Sequence, residues 1–168
     1  MPMLYIFSGL PASGKSTLAQ MLVERMAAVY LRIDTIEQTL RDFRNAEVTS
    51  ESYEVAYRLA TDNLRLGLSV VADSCNAILI TRREWERIAE ISNARAVNIE
   101  IVCSDKAEHR RRVETRSLTV PGLKSPTWKE VGEREYHTWS RDHIVIETSG
   151  KSERESFDDL CRALNEAK

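Results

Sequence analysis

The chain has 168 residues, of which 42% are hydrophobic and 30% charged, and its formal net charge is −2. That length predicts one domain spanning 1–168 with a core large enough to fold unaided. The near-neutral balance offers no global attraction to nucleic acid or anionic lipid, and no apolar run approaches the length of a membrane span.

Met3-Leu4-Tyr5-Ile6-Phe7 predicts a buried strand. It runs into Gly9-Leu10-Pro11-Ala12-Ser13-Gly14-Lys15-Ser16, which reads G-x-x-x-x-G-K-S, the phosphate-binding P-loop. Strand, glycine loop and helix start come in the order the motif needs. The two glycines let the backbone curl so that successive N–H groups face phosphate oxygens. A helix starting near Ser16 adds its free N–H groups and the positive end of its dipole. Lys15 supplies a mobile charge for the β- and γ-phosphates, and the Ser16 hydroxyl suits Mg²⁺. Gly9 to Thr17 is therefore the expected contact with a nucleoside triphosphate and its metal.

Residues 16–28 predict a helix with Leu18, Leu22 and Met26 on one face. Val29 to Ile33 predicts a short strand with Asp34 at its carboxyl end, before a helical pattern over 35–43. An aspartate there is either a helix cap or a site acid. Residues 50–67 predict a long helix, with Ser50 as cap and Gly67 as stop. Leu68 to Ala72 is an apolar strand ended by Asp73, the placement of an acid that holds Mg²⁺ through water. A helix over 80–92 and a strand over 96–103 follow. This alternation predicts an α/β fold, a parallel sheet with helices on both faces. Gly9, Asp34 and Asp73 all fall at carboxyl ends of strands, where such sheets collect ligands.

Asp105 to Arg116 predicts a helix dense in arginine. Arg110 and Arg111 read equally well as a solvated face. Arg112 and Arg116 share a face that could reach over a nucleotide. Ser117 to Lys129 contains Pro121, Gly122 and Pro126 and predicts a long loop, so a lid is expected over about 105–140. Thr127 to Tyr136 predicts a returning helix. Trp128, Tyr136 and Trp139 read as packing anchors rather than substrate platforms. His143 to Glu147 is a last strand ending in Thr148-Ser149-Gly150, and Glu153 to Ala167 a closing helix. The widely spaced Cys75, Cys103 and Cys161 fit neither a disulfide framework nor a zinc site. Free thiols and the lack of a signal-type leader predict a cytoplasmic protein, a monomer or homodimer without a membrane partner.

A GTPase should show D-x-x-G after its third strand and an N-K-x-D-like base reader; this chain has Asp73-Ser74-Cys75-Asn76 and no N-K-x-D. A small domain with an arginine-bearing lid suits a kinase, in which the transferring phosphoryl group is surrounded by positive charge and shielded from water.

The chain resembles a P-loop small-molecule kinase of the nucleoside-kinase-like group, in the family of bacterial kinases related to zeta toxins, gluconate kinases and polynucleotide 5′-kinases. The likeness rests on Gly9-x-x-x-x-Gly14-Lys15-Ser16, Arg32-x-Asp34, Val70-Val71-Ala72-Asp73-Ser74-x-Asn76, Arg112-Val113-x-x-Arg116 and Pro126-Thr127-Trp128-x-x-Val131-x-x-Arg134-Glu135-Tyr136-x-x-Trp139. The resemblance implies a three-layer P-loop NTPase fold with sheet order 2-3-1-4-5. It implies ATP and Mg²⁺ as cofactors and a small hydroxylated molecule as acceptor. Asp34 would be the general base. Ser16, with Asp73 through water, would hold Mg²⁺. Lys15, Arg112 and Arg116 would balance charge on the phosphoryl group, and an arginine with Thr148-Ser149-Gly150 would flank adenine. Arg41, Ser74, Asn76 and Arg134 would face the acceptor, together with parts of the 35–60 region. Polynucleotide 5′-kinases carry an arginine three residues after the base aspartate; Glu37 stands there instead, which weighs against a nucleic-acid acceptor. A polynucleotide 5′-hydroxyl kinase and a nucleotide-binding regulatory or toxin-like module remain the alternative readings.

Overall fold

The computed structural model describes residues 1–44, 47, 48 and 50–167. In chain order the elements are β1 (Met3–Ser8), α1 (Lys15–Met26), β2 (Val29–Arg32), α2 (Ile33–Arg44), α3 (Glu51–Arg65), β3 (Val70–Asp73), α4 (Leu79–Ile91), β4 (Arg95–Val102), α5 (Lys106–Thr115), α6 (Trp128–Glu133), β5 (Ile144–Glu147) and α7 (Glu153–Glu166). The strands form one five-stranded sheet in the order β2-β3-β1-β4-β5, with every neighbouring pair parallel. The predicted class and strand order are therefore both present.

The apolar strands are central because both of their faces are covered. Leu4 and Ile6 of β1 point to one side, into a core built with Ala56, Tyr57 and Leu64 of α3 and Trp85 and Ile88 of α4. Tyr5 and Phe7 point to the other side, against Leu18 and Leu22 of α1 and Phe157 and Leu160 of α7. Helix–sheet–helix layering follows directly from that alternation.

Three local expectations change. Ile33 is buried in the core under β2 and already begins α2, so Asp34 lies in the first turn of that helix rather than at its cap. Ser50 does occupy the N-cap position of α3, but its side chain makes no capping bond. The returning helix is only α6, ending at Arg134 in extended backbone. Gly132, a poor helix former, sits just before that end. Among the described residues, no helix is long and apolar enough to cross a membrane, and Cys75, Cys103 and Cys161 are free thiols.

Candidate active site

The loop between β1 and α1 is bent by three residues in left-handed backbone, Gly9 (φ +144°), Ala12 (φ +63°) and Gly14 (φ +97°). At Gly9 there is no room for a side chain, since a Cβ would sit 2.4 Å from the Ile101 carbonyl oxygen of β4. Its N–H donates to the Cys75 carbonyl (3.1 Å), joining the loop entry to the end of β3. The first helical bond of α1 runs from Leu18 N–H to the Gly14 carbonyl (3.2 Å). The N–H groups of Lys15, Ser16 and Thr17 precede it and have no acceptor within the helix. Gly14 has no side chain to cap them, so they are available to an anion.

Two side chains hold this loop from behind, and sequence reading missed the first of them. His109 of α5 is buried, with Nε2 2.8 Å from the Pro11 carbonyl oxygen. A carbonyl only accepts, so Nε2 carries the proton. The Trp128 ring meets the His109 ring edge-on at 5.3 Å. Thr148, just beyond β5, is buried, and its hydroxyl lies 2.8 Å from the Ser13 carbonyl oxygen and 3.0 Å from that of Val102. His109 was hidden in a run of arginines, where a lone imidazole reads as one more solvated group. Thr148 was expected beside the nucleotide, and the structure adds its role as the tie between β5 and the loop.

A cavity of about 780 Å³ opens in front of the loop, beneath α5 and the 117–127 segment. Pro11, Ala12, Gly14, Lys15, Ser16 and Thr17 form one wall; Asp34, Arg41, Arg112, Arg116, Arg134 and Thr148 complete the set of expected residues that reach it. Gly9 and Ser13 are buried behind the loop rather than in the cavity, and Leu10 does not line it either. Ser149 and Gly150, expected at the nucleotide, do not line the cavity: Ser149 donates to Glu147 (2.6 Å), and the Gly150 N–H donates to Glu108 (2.8 Å). Lys151, which the sequence reading passed over, lines the cavity.

The largest correction concerns the segment after β3. Ser74 and Asn76, expected toward the acceptor, are both buried and neither lines the cavity. Asn76 takes left-handed backbone (φ +46°), and its side-chain amide donates to Ser8 Oγ (3.0 Å) while its carbonyl accepts from Arg82 Nε (2.9 Å). It ties the ends of β1, β3 and α4 together. Cys75, between them, is the residue that reaches the cavity. Asp73 is buried too and does not line the cavity; it accepts a hydrogen bond from the Tyr30 hydroxyl (2.7 Å) and lies 3.9 Å from Arg32 Nε. Burial, with the Asp73 charge beside it, drives the Tyr30 phenol far above its ordinary pKa, so it stays a donor. From the 35–60 region only Glu37 and Arg41 line the cavity among the described residues; positions 45, 46 and 49 lie outside them.

The arginines of the wall differ in their company. Arg112 is pinned: Nη1 donates to Thr148 Oγ1 (2.9 Å), and Nη2 to the Thr148 carbonyl (2.9 Å) and Glu108 (2.5 Å). Arg41 pairs with Glu37 one turn earlier in α2. Burial raises the Glu37 pKa, opposed by Arg41 and reinforced by Asp34. Arg116 donates to Ser125 Oγ (3.0 Å), and Arg134 reaches Cys75 Sγ at 3.6 Å. Burial lowers the Arg116 pKa against the pull of the Asp34 carboxylate, though a guanidinium remains charged. Arg110 and Arg111 are exposed, the solvated face of α5. No cluster of three or more His, Cys, Asp or Glu side chains suited to a metal exists among the described residues. The single Ser16 hydroxyl on the wall fits Mg²⁺, which takes few protein ligands and keeps phosphates and waters.

Trp128, Tyr136 and Trp139 lie outside the cavity lining. Arg82, buried in α4, stacks 3.9 Å from the Trp139 ring and 5.1 Å from that of Tyr136. His137 Nδ1 accepts from the Leu79 N–H (3.0 Å), capping α4 from the returning segment. These contacts fasten the stretch after α6 to α4 and so position Arg134.

The profile of AAA_33, an AAA domain, matches residues 4–131. None of the curated proteins compared with the chain matches it. Several solved structures share its fold over nearly full length. A candidate kinase from Chloroflexus aurantiacus superposes with a TM-score of 0.71 at 20% identity, covering 99% of this chain and 98% of that one. Chaetomium thermophilum Kti12, solved with ADP-AlF3, gives 0.68 at 20% identity over 95% and 98%. A gluconokinase from Sinorhizobium meliloti gives 0.66 at 13% identity over 99% and 95%. At such identities the likeness establishes the fold.

Proposed function

The chain belongs to the AAA_33 family of AAA domains, and from that membership and its cavity we propose that it is an ATP- and Mg²⁺-dependent phosphotransferase acting on a hydroxyl of a small molecule. One observation carries the reading: the P-loop lysine, an unengaged carboxylate and two arginines share one cavity. Among the described residues no hydrogen bond is made to the Asp34 carboxylate, and that acid faces the cavity from the first turn of α2. A regulatory nucleotide switch does not need an acid there.

In the proposed reaction the acceptor oxygen forms a bond to the γ-phosphorus as the bond from that phosphorus to the β,γ-bridging oxygen breaks. ADP leaves, and the hydroxyl proton passes to the Asp34 carboxylate. Lys15, Arg112 and Arg116 spread positive charge around the transferring group. Ser16 would hold the Mg²⁺ that neutralises the β- and γ-phosphates, whereas Asp73, taken by Tyr30 and Arg32 outside the cavity, would not reach it directly. Arg112, fixed on Thr148, with the turn at Ser149 and Gly150, would flank the base. The 105–140 region would act as the lid that excludes water.

An ADP-release screen over sugars, amino alcohols, nucleosides and aminoglycosides should find an acceptor that raises the rate above bare hydrolysis. Asp34→Ala should then lower transfer by about 10²–10⁴-fold with nucleotide affinity kept. Full transfer by that variant overturns the assignment of the base. No accelerating acceptor at all favours the switch.

A further inference from the structure

Resting on that reading, we propose that the acceptor is itself an anion: its hydroxyl faces Asp34 while a phosphate or carboxylate group is gripped by Arg134 and Arg116 beside Cys75.

Two cations of the wall are already neutralised. Arg112 has Glu108 at 2.5 Å, and Arg41 has Glu37. Among the described residues, neither Arg116 nor Arg134 has an ion-pair partner; Arg116 is held by a serine hydroxyl and Arg134 touches a thiol. The two feel each other's charge, and Arg32 adds to the repulsion at Arg116. Arg116 is also half-buried. The Asp34 carboxylate acts on Arg116 without an ion pair, against the like charges of Arg32 and Arg134; cations left in excess in this way and partly desolvated are uphill in free energy, and an oxyanion relieves that cost.

The positions separate this corner from the triphosphate site. The phosphates of a nucleotide would have Lys15, the free N–H groups of α1 and Arg112, while Arg116, which feels Asp34, Cys75 and Arg134, would serve both the transferring group and the acceptor's anion. Arg134, from the segment after α6, meets Cys75 just beyond the end of β3. In the sheet β3 lies between β1, which carries the P-loop, and β2, which leads to Asp34. An acceptor between Asp34 and Cys75 would therefore present one end to the base and the other to Arg134. Ser125 fixes Arg116 through Nε, which leaves the two terminal nitrogens for a bidentate contact. Glu37, whose charge also reaches Arg134, is already paired with Arg41, and among the described residues no acid forms an ion pair with Arg134.

Cys75 allows a test that needs no knowledge of the acceptor. With AMPPNP and Mg²⁺ filling the P-loop, Cys75 is alkylated by iodoacetate, an anion, and by iodoacetamide, its neutral analogue. Modification is read by mass spectrometry, and the ratio of the two rates is normalised to 2-mercaptoethanol. Any change in thiolate fraction affects both reagents and cancels. The ratio at Cys75 should exceed that of the free thiol by about tenfold. Inorganic phosphate should lower it, and Arg134→Gln, at an exposed position, should bring it to that of the free thiol. A ratio near that of the free thiol, a ratio indifferent to Arg134→Gln, or a Cys75 that neither reagent reaches would overturn the inference.

The transfer assay gives the second arm, with matched acceptors: sugars and polyols against their phosphate monoesters and their carboxylates. An anionic member should be preferred, and Arg134→Gln should raise its KM about tenfold while kcat changes less. The two anionic sets distinguish phosphate from carboxylate. Transfer that favours the neutral member overturns the anionic acceptor and leaves the kinase standing. Anion preference at Cys75 with no transfer to any acceptor overturns the kinase and leaves the anion site.

Discussion

Gly9 permits a quantitative test of how the phosphate loop is built. In Gly9→Ala the new Cβ would lie 2.4 Å from the Ile101 carbonyl oxygen and 2.9 Å from Ser13 Oγ. The serine can rotate; the carbonyl belongs to β4 and moves only with the strand. Forcing a methyl group into that space costs about 1–3 kcal/mol. A φ of +144° is also foreign to alanine, adding roughly 1–3 kcal/mol of backbone strain. Against this, alanine restricts the unfolded chain, a gain of about 0.4–1 kcal/mol. The expected net loss is about 1–5.5 kcal/mol, read by urea unfolding. The matched controls are Gly67→Ala and Gly132→Ala. Gly67 has φ +85° with nothing within 4 Å of a Cβ, so it isolates the strain, at about 1 kcal/mol. Gly132 lies in α6 with open space and no positive φ, so alanine there should stabilise by about 0.5–1 kcal/mol. A Gly9→Ala loss no larger than that of Gly67→Ala would refute the close approach of the loop to β4 as the reason for glycine.

Two further outcomes follow from the same contacts. His109→Ala removes the N–H that holds the Pro11 carbonyl and leaves that buried oxygen without its partner, so nucleotide Kd should weaken about tenfold; an unchanged Kd by calorimetry would show that the loop holds its shape without α5. Burial alone would raise the Glu147 pKa, but hydrogen bonds from Ser149 and Ser104 outweigh it and bring the carboxyl from 4.5 to about 2. Because the folded-state value is the lower, its stabilisation is full above pH 4.5 and is lost as pH falls toward 2. Glu147→Gln should flatten that part of the stability profile, and an identical acid limb in the variant would refute the assignment.

What could be read from the sequence was whatever is encoded by neighbours along the chain. The apolar run at Met3 to Phe7, the glycine spacing and the helix after it form one continuous unit, and the parallel sheet followed from repeated alternation, while its strand order came from the family resemblance alone. What could not be read depends on pairings between distant segments. His109 serves Pro11 from 98 residues away, and Thr148 serves Ser13 from 135. No local pattern distinguishes such a histidine or threonine from its solvated neighbours.

The segment after β3 shows why a correct element can still carry wrongly assigned side chains. In the sequence, Ser74 and Asn76 read as polar residues that face the acceptor. The opposite holds, because β3 continues through Asp73 and the chain then turns at Asn76 with φ +46°. That turn sends the Asn76 amide back under Ser8 and aims its carbonyl at Arg82. The Cys75 carbonyl is left to meet the Gly9 N–H, and its side chain to line the cavity. An asparagine in left-handed backbone is tolerated because its short side chain can hydrogen-bond locally. The polar pair is therefore scaffold, and the cysteine is the residue next to chemistry. The same turn fixes the loop on one side, through Gly9, while His109 and Thr148 fix it on the other. The phosphate loop is thus held by three strand ends and one helix before any ligand arrives, which limits the reorganisation that nucleotide binding must drive.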